Sequence, residues 1–295
     1  ERMTQRLFIF GLGYSARAFA EPLRAQGWQV AGTTRDEDKA YRLSVAGYDM
    51  HFFDRGRPLP DAAKVLAGTT HILSSVPPDD FGDAVIDHHG EDIARLSGVS
   101  WAGYLSTTGV YGDRDGAWVD EETPLAPSNE RSRRRCAAER AWQDLNRVGG
   151  LPVQVFRLAG IYGPRRNALQ ERLSGRARRI VKPGHLFSRI HVDDIAGVLA
   201  ASLARPRPHR IYNVCDDEPA ANAAVLAYAS QLLGLDPPPE VDFETARQTM
   251  SAMQLSFWAE NRKVSNARIK AELDYRLLYP TYREGLQGLL ESLRG

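Results

Sequence analysis

The turn Gly11-Leu12-Gly13-Tyr14-Ser15-Ala16 follows the apolar run 7–10 and opens a helical pattern. In that context the GxGxxA spacing suits a dinucleotide pyrophosphate. The first glycine permits a tight turn, the second lets backbone approach the anion, and a small third residue lets helix pack on strand. The N–H groups and dipole of the helix start would then face negative charge. A turn that merely needs glycine would read the same, so the placement between strand and helix carries the argument.

The second β-rich run ends Thr33-Thr34-Arg35. An acidic residue there would hold the ribose hydroxyls of NAD, whereas Arg35 suits a 2′-phosphate. NADP is therefore the expected cofactor, and Asp36, next in the chain, keeps NAD open. Asp54 is a candidate for the adenine end of the cofactor, or the cap of a turn, and Ser75 completes the candidate contacts with Gly11, Gly13, Tyr14, Ser15, Thr34 and Arg35.

These residues need a frame. Short β-rich runs at 7–10, 29–34, 49–53, 71–76, 103–106 and 153–158 alternate with helical patterns at 15–26, 38–46, 61–66, 83–96 and 133–147. Such alternation predicts right-handed βαβ units, a parallel sheet covered on both faces, and hence a Rossmann-like, doubly wound α/β fold. Beyond Gly163 the texture changes to an arginine-rich stretch, a run of prolines at 237–239 and two terminal helical patterns, 265–273 and 281–293. Residues 1–165 read as the dinucleotide-binding domain, joined by about 187–216, and 166–295 as a smaller, interleaved substrate lobe.

Composition narrows the function. In 295 residues, 43% are hydrophobic and 25% charged, an ordinary globular balance. The 38 basic and 37 acidic residues nearly cancel, which disfavours nucleic acid and anionic membrane as partners. No run approaches the roughly twenty apolar residues that span a bilayer. Cys136 and Cys215 lie far apart without metal-ligand spacing, so no metal site and no disulfide framework is expected, and a reducing cytoplasm is the simplest home. The pair His88-His89 reads as a solvated helix face. Glu1 and Arg2, ahead of Met3, read as a remnant.

A second series of motifs runs to the C-terminus: Leu105-Ser106-Thr107-Thr108-Gly109-Val110-Tyr111-Gly112, Asp120 to Leu125 (DEETPL), Arg157 to Pro164 (RLAGIYGP), Ile190-His191-Val192-Asp193-Asp194-Ile195, and Tyr212-Asn213-Val214. With the glycine turn, this ordered series resembles the extended and atypical branches of the short-chain dehydrogenase/reductase superfamily, including NAD-dependent epimerases and dehydratases. The resemblance implies a Rossmann-like lobe for NAD(P), a C-terminal lobe for the substrate, and a Ser/Thr-Tyr-Lys catalytic set in which lysine tunes a tyrosine for proton transfer.

Thr107 falls on the Ser/Thr position of that set. Arg131 stands where the tyrosine belongs and Arg135 where the lysine belongs, and none of the eleven tyrosines is followed four residues later by lysine. A guanidinium with pKa above about 12 cannot shuttle a proton near neutrality. Arg135 can still hold ribose or phosphate. Tyr111, after the fifth strand, is the best remaining phenol, with Thr107 orienting substrate.

Arg131, Arg165 and His191 are the candidate substrate contacts, and the wider arginine set suits an anionic small molecule. Asp193 or Asp194 would cap the helix that follows. The segment 75–101 is short for the dimer-forming helix common in the superfamily, which leaves the oligomeric state open. The chain thus reads as an NAD(P)-binding oxidoreductase or epimerase-like protein with an altered proton shuttle. The alternative is a catalytically silent NADP-binding sensor.

Overall fold

The computed structural model describes residues 4–295, so the remnant reading at Glu1 and Arg2 lies outside the described residues. Seven strands form the central parallel sheet: β1 Arg6–Phe10, β2 Gln29–Thr34, β3 Asp49–Phe52, β4 His71–Ser74, β5 Trp101–Thr107, β6 Val153–Leu158 and β7 Ile211–Val214. Their order is β7-β6-β5-β4-β1-β2-β3. The order reverses between β1 and β4, which pair in parallel from Leu7 opposite His71 to Phe10 opposite Ser74. At such a reversal the connections leave in opposite directions and open a crevice at the carboxyl ends of the strands.

The sheet's sequence follows from burial on both faces. Leu7, Phe8, Ile9 and Phe10 are all 0% exposed, so β1 is a continuous apolar run rather than an alternating one. Helix α1, Tyr14–Ala25, buries Ala16, Phe19, Ala20 and Leu23, the i, i+3, i+4, i+7 stripe of a helix packed on a sheet. Two more helices, α2 Glu37–Val45 and α3 Ala84–Ala94, begin on aspartate caps: Asp36 accepts from the Lys39 N–H and Asp83 from the Ile86 N–H. Helix α4, Glu130–Gly149, buries Trp142, whose indole N–H donates to the Asp83 carboxylate at 2.9 Å. Each large side chain buried in this way contributes roughly 1.5–3 kcal/mol.

Helices α5 Val192–Ala204, α6 Asn222–Leu233 and α7 Tyr282–Arg294 follow. Contacts group the chain into two compact units. Unit 1 comprises 1–107, 131–157 and 195–212, and unit 2 comprises 108–130, 158–194 and 213–295. The core of unit 2 gathers Tyr162, Leu169, Val225, Ala229, Tyr282, Leu286 and Leu289. Gly285 is required there, because a Cβ on it would fall 1.9 Å from the Tyr162 hydroxyl.

Candidate functional site

Unit 1 carries a cavity of about 860 Å³ at the carboxyl ends of β1, β2 and β4. Its floor is the glycine turn. Gly11 has φ +82°, a conformation that favours glycine, and a Cβ there would meet Ser75 Oγ at 2.7 Å. The Gly11 N–H donates to Thr33 Oγ1 at 2.8 Å, the Leu12 N–H to the Thr33 carbonyl at 2.9 Å, and the Ser75 hydroxyl to the Gly11 carbonyl. The turn is thereby fixed by β2 on one side and the segment after β4 on the other.

Gly13 is the N-cap of α1 and gives it no side-chain cap. A Cβ on Gly13 would meet nothing nearer than the Gly11 carbonyl oxygen at 4.0 Å, which leaves the approach to that helix start open. An open approach to a helix start and adjoining space suit a dinucleotide pyrophosphate.

The side of the cavity nearest β2 and β3 is lined by Thr34, Arg35, Asp36, Lys39, Asp54 and Arg55. Arg35 is exposed and has no hydrogen-bond or ion-pair partner among the described residues. Lys39 joins it from the first turn of α2, its pKa lowered mainly by burial and partly restored by Asp36. The Asp36 carboxylate caps α2, its Oδ1 accepting the Lys39 N–H at 2.9 Å. Arg55 is committed to Asp79 at 2.6 Å and Asp87 at 2.9 Å. Lys39 and Arg55 escape a reading by motif: only the start of α2 brings Lys39 to the cavity wall, and only the loop after β3 brings Arg55 there.

Gly11, Gly13, Thr34, Arg35, Asp54 and Ser75 line this cavity, whereas Tyr14, Ser15 and Arg135 do not. Tyr14 and Ser15 form the start of α1, with Ser15 buried. Arg135 donates Nη1 to the Leu105 carbonyl at 2.9 Å and to the Tyr104 hydroxyl at 3.3 Å, stitching α4 to β5. One turn further on, Glu139 accepts from Ser106 Oγ at 2.5 Å and from Arg157 Nε and Nη2 at 2.9 and 2.8 Å. That bidentate pair is 2–3% exposed at its side chains. Its members occur inside the AAE and RLAGIYGP stretches of the sequence, but nothing in their spacing foretells that they meet.

The remaining candidates are distributed as follows. Thr107 is half-buried at the carboxyl end of β5, and Arg131 is exposed at the start of α4. Tyr111 is 0% exposed and donates its hydroxyl to Asn213 Oδ1 at 2.6 Å. The Asn213 N–H in turn donates to Glu121, so the VYG, DEET and YNV stretches form one buried tie within unit 2. Arg165 is exposed with φ +62°, between Pro164 and Arg166 in a tight turn closed by Gly163 and Arg166.

His191 is 2% exposed, stacked on Tyr279 at 4.1 Å, and burial lowers its pKa, which keeps the ring neutral. Neither Asp193 nor Asp194 caps α5 with its side chain. Instead the Asp193 N–H donates to His191 Nδ1 at 3.0 Å, and the Asp194 carboxylate accepts from the Tyr275 hydroxyl and the Leu278 and Tyr279 N–H groups. The solvated-face reading holds for His88 and fails for His89. His89 is 3% exposed, its Nε2 accepts the Leu59 N–H, and its Nδ1 donates to Asp92. Among the described residues no group of three or more His, Cys, Asp or Glu side chains could hold a metal ion, and no helix is long and apolar enough to cross a membrane.

Comparison with known proteins adds four findings. The profile of the NAD dependent epimerase/dehydratase family matches residues 8–215. Protein YeeZ of Escherichia coli (strain K12) is 27% identical over 288 residues, covering 94% of this chain and 97% of its own. Among solved structures, a functionally unknown conserved protein from Silicibacter pomeroyi DSS superposes with a TM-score of 0.89 at 48% identity, over 99% of this chain and 100% of that one. The dTDP-glucose 4,6-dehydratase of Bacillus anthracis, solved in complex with NAD, shares the fold with a TM-score of 0.77 at 17% identity, over 99% and 97% of the two chains.

Proposed function

Because the chain belongs to the NAD dependent epimerase/dehydratase family, we propose that it binds NADP in the cavity of unit 1 and acts as an oxidoreductase or epimerase-like protein on an anionic small molecule. The observation that carries the cofactor reading is the pairing of an unspent Arg35 with Lys39 on the side nearest β2 and β3, where Asp36 is already engaged as a helix cap. Two cations beside a carboxylate, Asp36, that already holds a backbone N–H favour a 2′-phosphate over a bare ribose. The start of α1 would hold the pyrophosphate, Asp54 would face the adenine end, and Ser75 would support the glycine turn. When bound, the nicotinamide would supply or accept a hydride equivalent.

Proton transfer then falls outside a Tyr-x-x-x-Lys pair. Thr107, at the carboxyl end of β5, is the hydroxyl best placed on unit 1 to orient a substrate. Arg135 supports that strand end through the Leu105 carbonyl. The arginines at 131 and 165, both exposed, supply permanent charge for an anionic substrate. A second reading, a silent NADP-binding sensor, is favoured by the resemblance-based placing of Arg131 and Arg135 at the two positions of the proton-shuttling pair.

The test is differential binding. Arg35→Ala is expected to weaken NADP about tenfold, the worth of one exposed charge-assisted contact to phosphate, and to leave NAD within about twofold. Equal losses for the two cofactors, read by calorimetric titration, would remove Arg35 from 2′-phosphate recognition. Turnover of NADPH with any small carboxylate or phosphate ester would separate the enzyme from the sensor.

A further inference from the structure

Unit 2 has a cavity of its own, about 270 Å³, walled by the strand Gly160–Tyr162, the short helix Ala168–Leu173, α6 and α7. Three of its polar groups have hydrogen-bonding capacity that the protein does not use. Arg189 directs Nη1 to the carbonyls of Phe187 and Ala220 at 3.1 and 3.0 Å, and its Nε and Nη2 have no partner among the described residues. Tyr162 is 8% exposed, and its buried hydroxyl has no hydrogen-bond partner among the described residues. Asn222 Oδ1, in the first turn of α6, is likewise buried and unpartnered, and Ala221 gives that helix no side-chain cap. Buried polar groups are nearly always satisfied, and each exception costs free energy. Three around one cavity call for a ligand.

We propose that this cavity binds a small oxyanion, a carboxylate or phosphate group, gripped by the Arg189 guanidinium and the Tyr162 hydroxyl, with Asn222 orienting the rest of the molecule. Charge supports an anion. Arg166 lines the cavity with Arg189. Asp216 is within electrostatic reach of Arg189, but burial pushes its carboxyl up to about 8, so near neutrality it leaves the guanidinium largely uncancelled. Glu171, the one carboxyl among the lining residues, is also raised by burial. The volume sits at the small end of ligand pockets, which suits an inorganic phosphate or a short carboxylic acid rather than a nucleotide. The inference stands apart from the dinucleotide reading, since the lining of that cavity belongs wholly to unit 1.

The experiment is a calorimetric titration of the full chain with inorganic phosphate at matched ionic strength, with and without saturating NADP. One phosphate per chain is expected to bind at millimolar concentration whether or not NADP is present, and Arg35→Ala leaves that binding unchanged. Arg189→Met weakens it about tenfold or more. Tyr162→Phe also weakens it, while raising the Tm of the phosphate-free protein because it deletes a buried hydroxyl without a partner. If Arg189→Met does not fold, Tyr162→Phe decides alone. No uptake at tens of millimolar phosphate, or uptake that Tyr162→Phe leaves intact, overturns the site. Uptake abolished by NADP or by Arg35→Ala would place the phosphate in unit 1 and overturn it equally.

Discussion

Tyr111 illustrates how one residue can carry a motif without facing a ligand. Its phenol and Asn213 are both 0% exposed and bonded at 2.6 Å, a buried tie between two segments a hundred residues apart in sequence. Removing the hydroxyl leaves Asn213 Oδ1 short of a donor, at a cost of about 1–3 kcal/mol. Tyr111→Phe is therefore expected to lower stability by that amount in chemical denaturation and to leave NADP affinity unchanged. A variant as stable as the parent but inactive would instead give the phenol a part in proton transfer. The sequence made the residue conspicuous through its place after β5, but a single hydroxyl's partner depends on which distant strand arrives beside it. His89 teaches the same lesson from the opposite side: it looked solvated next to His88, yet Leu59 and Asp92 claim both of its ring nitrogens.

At the scale of elements, the six strands of the βαβ pattern were legible because a sheet covered on both faces demands short apolar runs, and Gln29–Thr34 and Val153–Leu158 fall where the pattern puts them. Helix α6 was not, and α5 was legible only as a helix following Asp193 and Asp194, without bounds. Their sequences, VDDIAGVLAASLA and NAAVLAYASQLL, are apolar nearly all round and lack the charged face that marks a helix of the surface. Nor could spacing show the tie among β5, α4 and β6 made by Ser106, Glu139 and Arg157. Deleting one partner of a buried ion pair strands the other charge, which typically costs about 3–5 kcal/mol. Glu139→Ala should therefore destabilise by that order, and a double replacement of Glu139 and Arg157 by apolar residues should recover most of it. A double-mutant cycle with no coupling energy would show that the pair holds nothing together.

For the molecule as a whole, the near balance of charge hides local imbalances that pH can expose. Asp216 is 3% exposed, and burial pushes its carboxyl up to about 8 from the usual value near 3.8. The folded chain therefore keeps a proton that the unfolded chain releases between these values. Stability falls as pH rises through about 4 to 8, and the loss is complete above that window. Asp216→Asn removes the titration, so its gain in stability over the parent should be larger at pH 8.5 than at pH 5 by at least about 1 kcal/mol. An equal gain at both pH values would mean that Asp216 is ionised throughout. The doubly wound fold was readable as a class from alternation and the glycine turn. The division into two units was less so, because contacts rather than sequence texture decide where a chain crosses between them.

The central claim is that Arg35 and Lys39 make the unit 1 cavity a site for NADP. Calorimetric titration of the unaltered protein with NADP and then NAD, at one fixed salt concentration because the contacts are ionic, tests it most directly. NADP is expected to bind at micromolar concentration and NAD about tenfold or more weaker. NAD binding as tightly as NADP would contradict the role of the two cations, and binding of neither would leave the glycine turn as scaffold alone.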